Sequence, residues 1–272
     1  MKRFSLFLSL LFLCVCFLSS CIKGGNIQEF STFGVLKYSE KGLFTPVLET
    51  PVGIFYSPVI NSLMGREEMI IDHCYAVYIQ LDHDLPENSS TAYDAYGYQT
   101  VTIKAYEEVP RYNLEYLPEI DLTTILPAEV PVSKGFETGD YVSDYLFMLH
   151  YINIQDDWSL NWKLSCNSSK MYTEEDGKRY YNLYLRATVN KEGDKTVKVE
   201  KGFANAYRLY SFLTSVAVSE KTLLGGNYVE NSSKFNLRFN YVSQIDTTSQ
   251  TLTWKHDQLD AYIAPFIPKL VK

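Results

Sequence analysis

FNLRFNYV, residues 235–242, is the stretch that decides the fold of the second half of the chain. Large apolar side chains alternate there with polar ones at every second position. Alternation with a period of two predicts a β-strand that buries one face and exposes the other. The same alternation recurs in residues 158–164, 181–189 and 251–255.

Residues 135–272 are therefore predicted to form an antiparallel β-sandwich. One segment departs from the strand period, because its apolar residues are spaced like one face of a helix. These residues are Phe203, Tyr207, Tyr210, Leu213 and Ala217. Gly225-Gly226 supplies a helix stop, so a helical insert is predicted near residues 203–224. Two further strands around Val216 and Val218 are the alternative.

The first half of the chain, residues 31–109, is typical of short strands separated by glycine-marked turns. The predicted strands cover residues 33–38, 43–48, 52–56, 69–81 and 98–106. Five such strands fit a small closed barrel of the OB type, although the spacing also allows a small sandwich. Residues 110–134 are predicted as a connection, because prolines interrupt every candidate element there. The fold class is thus all-β with one helix.

The charge and composition of the chain restrict the classes of function that it can have. The chain carries 25 Lys and Arg against 32 Asp and Glu, a net charge of −7. This balance argues against nucleic acid, which requires a basic footprint. The 22 Tyr and 15 Phe suit strands, and they also suit proteins that display rings to a ligand.

The first 20 residues are typical of a lipoprotein signal peptide. Lys2-Arg3 precedes an apolar run, which ends in Leu18-Ser19-Ser20-Cys21. In that pattern Cys21 is lipidated and the chain is cut before it, so the protein is predicted to be held at a membrane by lipid. An uncleaved anchor is the alternative, but the apolar run is short for a span. Residues 21–30 are predicted as a flexible tether.

The layout resembles the NigD-like lipoproteins of Bacteroidota. The residues that carry the resemblance are 18–21, the glycine-marked strands within 33–55, and the late runs 235–243 and 251–254. The resemblance implies an OB-type domain followed by a β-sandwich, in a protein of the cell envelope, most often at the outer membrane, on its periplasmic side or its surface. It also implies a proposed role in bacteriocin immunity, and no diagnostic catalytic motif.

Several polar clusters have the residue types of metal or nucleophile sites. Asp82-His83-Asp84 alternates between the two faces of a strand, so we predict no metal site. His73 and Cys74 point to opposite faces for the same reason, and a Cys nucleophile needs a His within hydrogen-bond reach. We therefore predict no catalytic residue and no cofactor. Cys74 and Cys166 are predicted as buried free thiols, with a disulfide as the alternative.

Two groups of tyrosines could stack on sugar rings, although packing within the fold is the alternative for each ring. They are Tyr93, Tyr96 and Tyr98 beside residues 88–90, and Tyr172, Tyr180 and Tyr184. Asp246-Thr247-Thr248 resembles the O-glycosylation motif of Bacteroidota, which makes Thr247 a candidate modification site.

Three hypotheses follow for the function. The first is a non-catalytic, lipid-anchored envelope protein that binds a protein or peptide partner, such as a bacteriocin. The second is a glycan-binding lipoprotein. The third is an enzyme, which would require a pocket that joins Cys74 or Cys166 to a histidine and a carboxylate.

Overall fold

The structure is a computed structural model that describes residues 26–41, 44–137, 139–155, 157–191, 193, 197–229, 232–262 and 269–270. The predicted signal peptide, residues 1–20, and Cys21 lie outside the described residues. The chain divides into two compact units after Pro110.

The first unit is a closed five-stranded barrel with strand order β1-β2-β3-β5-β4. Its strands are β1 (Ile27–Tyr38), β2 (Pro46–Thr50), β3 (Gly53–Tyr56), β4 (Cys74–Asp82) and β5 (Gln99–Val109). Two short α-helices and one 3₁₀ turn connect them: α1 (Val59–Gly65), the turn Pro86–Asn88, and α2 (Ser90–Tyr96). The predicted OB-type barrel is confirmed.

The barrel closes because β1 is long enough to pair with two strands. Residues 27–35 pair with β4 and residues 35–38 pair with β2. At Gly34 the backbones approach so closely that a Cβ atom would lie 3.0 Å from the carbonyl oxygen of Glu49. Since β1 begins at Ile27, the last residues of the predicted tether are strand. Leu36, Leu48 and Ile79 fill the barrel core.

The second unit is one large sheet with strand order β16-β15-β14-β12-β10-β6-β13-β9-β8, with β7 and β11 also paired to β12. Its first strands are β6 (Arg111–Leu117), β7 (Glu129–Val130), β8 (Gly139–Val142), β9 (Tyr145–Gln155), β10 (Ser159–Asn167) and β11 (Tyr172–Glu175). The remaining strands are β12 (Lys178–Lys191), β13 (Lys198–Arg208), β14 (Lys234–Asp246), β15 (Thr251–Tyr262) and β16 (Lys269–Leu270). Helix α3 (Tyr210–Leu224) follows β13, and a 3₁₀ turn (Gly225–Asn227) ends it.

The sheet curls so that its two halves share one core. Met148 and Ile152 of β9 lie in the same buried cluster as Leu183 of β12 and Phe239 of β14. The all-β, sandwich-like core is as predicted. However, the sheet is not wholly antiparallel, because β6 pairs in parallel with both β10 and β13, and β12 pairs in parallel with β14.

Strand β6 lies in the middle of the sheet, within the residues predicted as a connection. Pro110 and Pro118 flank this strand rather than interrupt it, as expected for a residue that cannot donate to a ladder. Leu114 of β6 is buried in the core. Prolines therefore mark the ends of this element.

Helix α3 confirms the second half of the predicted helical insert and corrects the first half. Residues 203–208 are the end of β13, and they pair with β9. From Tyr210 the chain is helical and buries Phe212, Leu213 and Val216 against the core, so the alternative strands around Val216 are not formed. None of the helices in the described part of the chain is both long and apolar enough to cross a membrane.

Candidate functional site

The candidate site is an aromatic rim on the barrel, where two connections meet. The first is the β1–β2 turn, and the second is the β4–β5 connection that contains α2. Lys41 Nζ of the turn donates to the carbonyl oxygen of Asp94 at 3.2 Å, and Ser39 Oγ donates to that of Tyr96 at 3.4 Å. We define the rim by the rings of Tyr38, Phe44, Tyr56, Tyr93, Tyr96 and Tyr98.

Asn88 fixes both ends of the β4–β5 connection. Its side-chain amide donates to the carbonyl oxygens of Asp82, at 2.7 Å, and Thr100, at 2.9 Å, and it accepts from Thr100 N at 2.6 Å. The side chain is buried with its hydrogen-bonding groups satisfied. The connection therefore starts and ends at fixed points on β4 and β5.

Helix α2 is held in place at each of its ends. Ser89 is the N-cap, since its Oγ accepts from Ala92 N at 3.3 Å. Gly97 ends the helix in the left-handed region, at φ +76°, with its backbone against the Lys41 side chain. The rings of Tyr93 and Tyr96 thus stand on a capped turn of helix.

The rim rings form two contact groups. Tyr98 lies between Tyr56, at a centroid distance of 5.3 Å, and Tyr96, at 5.9 Å with an angle of 26° between the ring planes. Tyr38 and Phe44 meet edge to face at 6.1 Å. Both distances and angles suit favourable ring contacts. The rings support each other while leaving outer surface free.

Phe44 is the most exposed ring of the rim, at 81 %. Its backbone lies in the left-handed region, with φ +62°, which is uncommon for a residue other than glycine, asparagine or aspartate. An exposed ring recovers little burial energy to offset that strain. Strained conformations of this kind cluster at functional sites, so Phe44 is a candidate contact residue.

The rim offers flat apolar faces edged by tyrosine hydroxyls. In OB folds the β1–β2 and β4–β5 connections are the usual binding loops. Tyr38, Tyr93 and Tyr96 are 47 %, 42 % and 53 % exposed. The arrangement can hold an apolar side chain or the face of a sugar ring.

One of the two predicted tyrosine groups is brought together and the other is not. Tyr93, Tyr96 and Tyr98 lie in the rim as a group. By contrast, Tyr172 packs on Tyr181, Tyr180 lies 3.9 Å beneath the Arg238 guanidinium, and Tyr184 contacts Trp254. The sequence did not predict that Tyr38, Phe44 and Tyr56 join this group. Their position beside turns was the available signal, since loop rings need not pack in a core.

The Asp82-His83-Asp84 cluster forms a turn at the end of β4. Asp82 Oδ1 accepts from Asp84 N at 3.0 Å, and the Asp84 carboxylate accepts from Asn26. His83 points to Gln28. Within the described ranges there is no group of three or more His, Cys, Asp or Glu side chains placed to hold a metal ion.

The candidate nucleophiles lie in packed surroundings. Cys74 and Cys166 are buried and form no disulfide with each other, as predicted, and burial raises the pKa of the Cys166 thiol to about 11. His73 Nδ1 lies 2.6 Å from Glu108 Oε1. A thiol with a raised pKa is a poor nucleophile.

His150 is wholly buried in the second unit. Its ring nitrogens contact the carbonyl oxygen of Gly135 and the hydroxyl of Tyr207, the latter at 3.0 Å, and its ring stacks on Trp162. Burial lowers the pKa of His150 to about 4. This histidine is therefore a neutral core group at neutral pH.

Thr247 is exposed in the turn between β14 and β15. Asp246 Oδ1 shapes that turn by accepting from Thr248 N at 2.8 Å and Ser249 N at 3.1 Å. A shallow open cleft of about 490 Å³ lies beside it and is lined by Pro131, Ser243–Asp246, Thr251 and Thr253. The cleft contains no aromatic ring.

Comparisons with known proteins agree with this architecture. Residues 24–107 match the family described as Lipoprotein OB domain. No curated protein matches the chain. An uncharacterised protein from Parabacteroides merdae has 16 % identity and a TM-score of 0.69, with 86 % of this chain and 99 % of that chain covered.

Two further solved structures match most of the chain at lower scores. A putative lipoprotein from Bacteroides fragilis has 12 % identity and a TM-score of 0.51, covering 85 % of this chain and 97 % of that one. A NigD-like immunity protein from Bacteroides caccae has 10 % identity and a TM-score of 0.45, covering 87 % and 94 %. The predicted resemblance to Bacteroidota lipoproteins is confirmed by the match of the OB domain to a lipoprotein family and by the fold shared with a lipoprotein from Bacteroides fragilis.

Proposed function

We propose that this chain, whose N-terminal domain belongs to the lipoprotein OB-domain family, binds a protein or peptide partner through the aromatic rim while anchored in the outer membrane. The observation that supports it is Phe44, an 81 % exposed ring held on a strained backbone. Aromatic anchors that enter a pocket of the partner carry much of the energy of protein interfaces. A toxin peptide is one partner that fits the resemblance.

The role is proposed to be non-catalytic and independent of any cofactor. The thiols considered as nucleophiles are buried, and His150 bonds to a tyrosine hydroxyl and a backbone carbonyl. The rim itself carries aromatic rings edged by hydroxyl groups, which donate and accept hydrogen bonds. This arrangement supports recognition.

Photo-crosslinking in the cell envelope tests the proposal. Phe44→benzoylphenylalanine keeps an aromatic group at the apex of the rim, and it should give one crosslinked product of discrete mass. Val197→benzoylphenylalanine is the matched control, because Val197 of the second unit is also strongly exposed, at 71 %. Equal products at both positions, or none at Phe44, would contradict binding through the rim.

A glycan ligand is the second candidate, and the near-parallel Tyr96–Tyr98 pair favours it. A sugar ring stacks on an aromatic face, whereas a protein pocket encloses a protruding ring. Tyr96→Ala should then abolish binding to purified envelope glycans while Phe44→Ala leaves it intact. For a protein partner, Phe44→Ala has the larger effect.

The lipid anchor is proposed at Cys21, with the body on the periplasmic side or the surface. Metabolic labelling with a palmitate analogue should label the wild type and not Cys21→Ser. Membrane fractionation of the same two samples tests the outer-membrane location, because the lipid supplies the affinity for the membrane. Equal labelling of both proteins would overturn the assignment.

Thr247 is proposed as an O-glycosylation site. The residue is exposed in a turn, where a sugar adds bulk without displacing packed side chains. Intact-mass measurement should show a glycan on protein from the native host, and Thr247→Ala should remove it. Thr248→Ser is the control, because it leaves the candidate threonine in place.

A further inference from the structure

Strand β15 leaves one of its edges open. It spans Thr251–Tyr262, and β14 pairs with it along that whole length on one side. On its other side β16 pairs only with Ala261 and Tyr262. Within the described part of the chain, residues 251–260 therefore have no strand beside their outer edge. Every second residue there directs its N–H and C=O groups away from β14.

An open edge of this length is a template for another strand. Natural edge strands are often blocked by proline or by a strong twist, and β15 contains no proline. The faces of β15 carry both apolar and polar side chains, and Leu252 and Trp254 have polar neighbours in the sequence. The edge is therefore open to a partner whose charges match its own.

The charges of one β15 strand are complementary to those of β15 in a second copy of the chain. Lys255 and Asp257 lie on the same face of the strand, on either side of His256. If two copies of β15 pair antiparallel with His256 opposite His256, then Lys255 of each copy lies opposite Asp257 of the other. Opposite charges in directly facing positions stabilise a pair of strands.

The neighbouring registers are unfavourable. A pairing centred on Lys255 places the two Lys255 side chains opposite each other. A pairing centred on Asp257 places the two Asp257 side chains opposite each other. Like charges in facing positions destabilise the pair. The Asp257 carboxylate is held on its face by a bond from Phe136 N at 3.2 Å, so it cannot easily turn away.

We infer that two copies of this chain associate through antiparallel pairing of their β15 strands, with His256 at the two-fold axis. The interface is isologous, as in most homodimers. It extends the curled sheet of one copy into that of the other. The inference is independent of the aromatic rim, which belongs to the other unit.

Single cysteine substitutions test the register directly. In this dimer His256→Cys faces its own counterpart, with Cα atoms about 4.5–5.5 Å apart, a separation that a disulfide can bridge. Full-length protein in mild detergent should therefore form a disulfide-linked dimer on oxidation. Trp254→Cys and Gln258→Cys should each stay monomeric on a non-reducing gel, while a mixture of the two should crosslink.

The cysteine controls decide the outcome. The wild type is the blank, because Cys74 and Cys166 are buried. Equal crosslinking of all three single variants would show random collision and overturn the register. No crosslinking of His256→Cys would overturn the dimer.

Charge reversal tests the affinity. Lys255→Asp and Asp257→Lys each create two like-charge contacts, and each should weaken dimerisation about tenfold or more in sedimentation equilibrium. The double variant Lys255→Asp, Asp257→Lys should restore it. Thermal unfolding checks that each variant is folded. If Asp257→Lys does not fold, Lys255→Asp, at an exposed position, tests the charge contacts alone. A monomeric wild type, or a double variant as weak as the singles, would refute the pairing.

Discussion

Among the described residues, the most exposed aromatic rings lie in the barrel, whereas most of the largest buried rings lie in the curled sheet. In the barrel the rings of Phe44 and Tyr96 are exposed, at 81 % and 53 %. In the curled sheet the large rings fill the core. The largest fully buried rings there are Tyr181, Tyr207, Phe147, Phe212, Phe235 and Phe239. This difference fits the proposed function, in which exposed rings of the barrel contact a ligand, while the second unit packs its largest rings in its core.

Charged groups repeat the contrast. In the second unit Arg186 forms two bonds of 2.6 Å with Glu129, whose side chain is fully buried. In the barrel the Lys37–Asp72 pair is largely in solvent, with side chains 29 % and 60 % exposed. Buried charges depend on their partners, whereas exposed pairs contribute little. Substitution of the buried pair should therefore cost more unfolding free energy than substitution of the exposed pair.

The largest effect is expected from Phe239→Ala. Its ring is fully buried and meets Phe136 edge to face at 5.2 Å. Loss of the ring should cost about 3–5 kcal/mol of the unfolding free energy. Tryptophan emission during urea unfolding measures it, because all three tryptophans lie in the second unit. Tyr116→Ala, at an exposed ring, should cost less than about 1 kcal/mol; equal losses would remove the contrast.

Glu129→Ala should cost about 3 kcal/mol, because it leaves the Arg186 guanidinium without its counter-charge in a nearly buried position. The loss should also loosen Asp121 and Thr124, whose carbonyl oxygens accept from the same guanidinium. Urea unfolding again measures it. The control is Glu115→Ala, since the Glu115–Lys163 pair is exposed and should contribute less than about 1 kcal/mol.

The sequence predicted the features of the fold that depend on local pattern. Alternation at residues 235–242 predicted β14 because one face of that strand is buried along its length. The connection prediction failed at β6 because prolines at its ends suggested interruption. Its parallel pairing with β10 and β13 joins residues far apart in the chain. No local pattern reports such a neighbour.

The candidate site was predictable only in part. Tyr93, Tyr96 and Tyr98 are close in sequence, so their grouping could be foreseen. Phe44 joins them only because the β1–β2 turn bonds to α2 through Lys41 and Ser39. Its positive φ could not be predicted from the sequence, because phenylalanine rarely adopts that conformation.

Acid should weaken the scaffold through His150. Burial lowers its pKa to about 4 in the folded protein, whereas the unfolded chain binds the proton near pH 6.5. Stability is complete above the unfolded pKa and is lost as the pH falls toward the folded one. From pH 7.5 to pH 5 the unfolding free energy should fall by about 2 kcal/mol.

His150→Gln should remove most of that dependence on pH, measured by urea unfolding with tryptophan emission. The carboxylates with lowered pKa values, such as Glu137 and Glu220, lose their contribution mainly below this range. His83→Gln, at an exposed position, is the control. An unchanged slope in His150→Gln would show that another group titrates.

A smaller loss of unfolding free energy is expected from a change in α2, the helix that carries Tyr93 and Tyr96 of the rim. Ser89→Ala removes the N-cap of α2 and should cost about 1 kcal/mol. Because α2 is short, the loss should appear as local fraying. Hydrogen exchange at the Gly97 amide, which bonds to the Tyr93 carbonyl oxygen at 2.7 Å, should accelerate. Thr91→Ala, at an exposed position in the same helix, should leave the exchange rate nearly unchanged.

The smallest effect on stability is expected at the residue proposed to matter most for binding. Phe44→Gly removes an exposed ring, and glycine adopts the observed φ of +62° without strain. The relief of strain and the added freedom of the unfolded chain oppose each other, so the unfolding free energy should change by less than about 1 kcal/mol. Hydrogen exchange at the Leu36 amide, which bonds to the carbonyl oxygen of His73 at 3.0 Å, measures the stability of the barrel.

Phe44→Gly should also lose the partner when the photo-crosslinker stands at another ring of the rim, as in Tyr96→benzoylphenylalanine. Phe44→Tyr is its control, because it keeps an aromatic anchor on the same strained backbone and should keep binding. If Phe44→Gly instead destabilised the barrel by several kcal/mol, the ring would be part of the packing. The barrel would then use its rings as the curled sheet does, and the division between a presenting unit and a packed scaffold would be wrong.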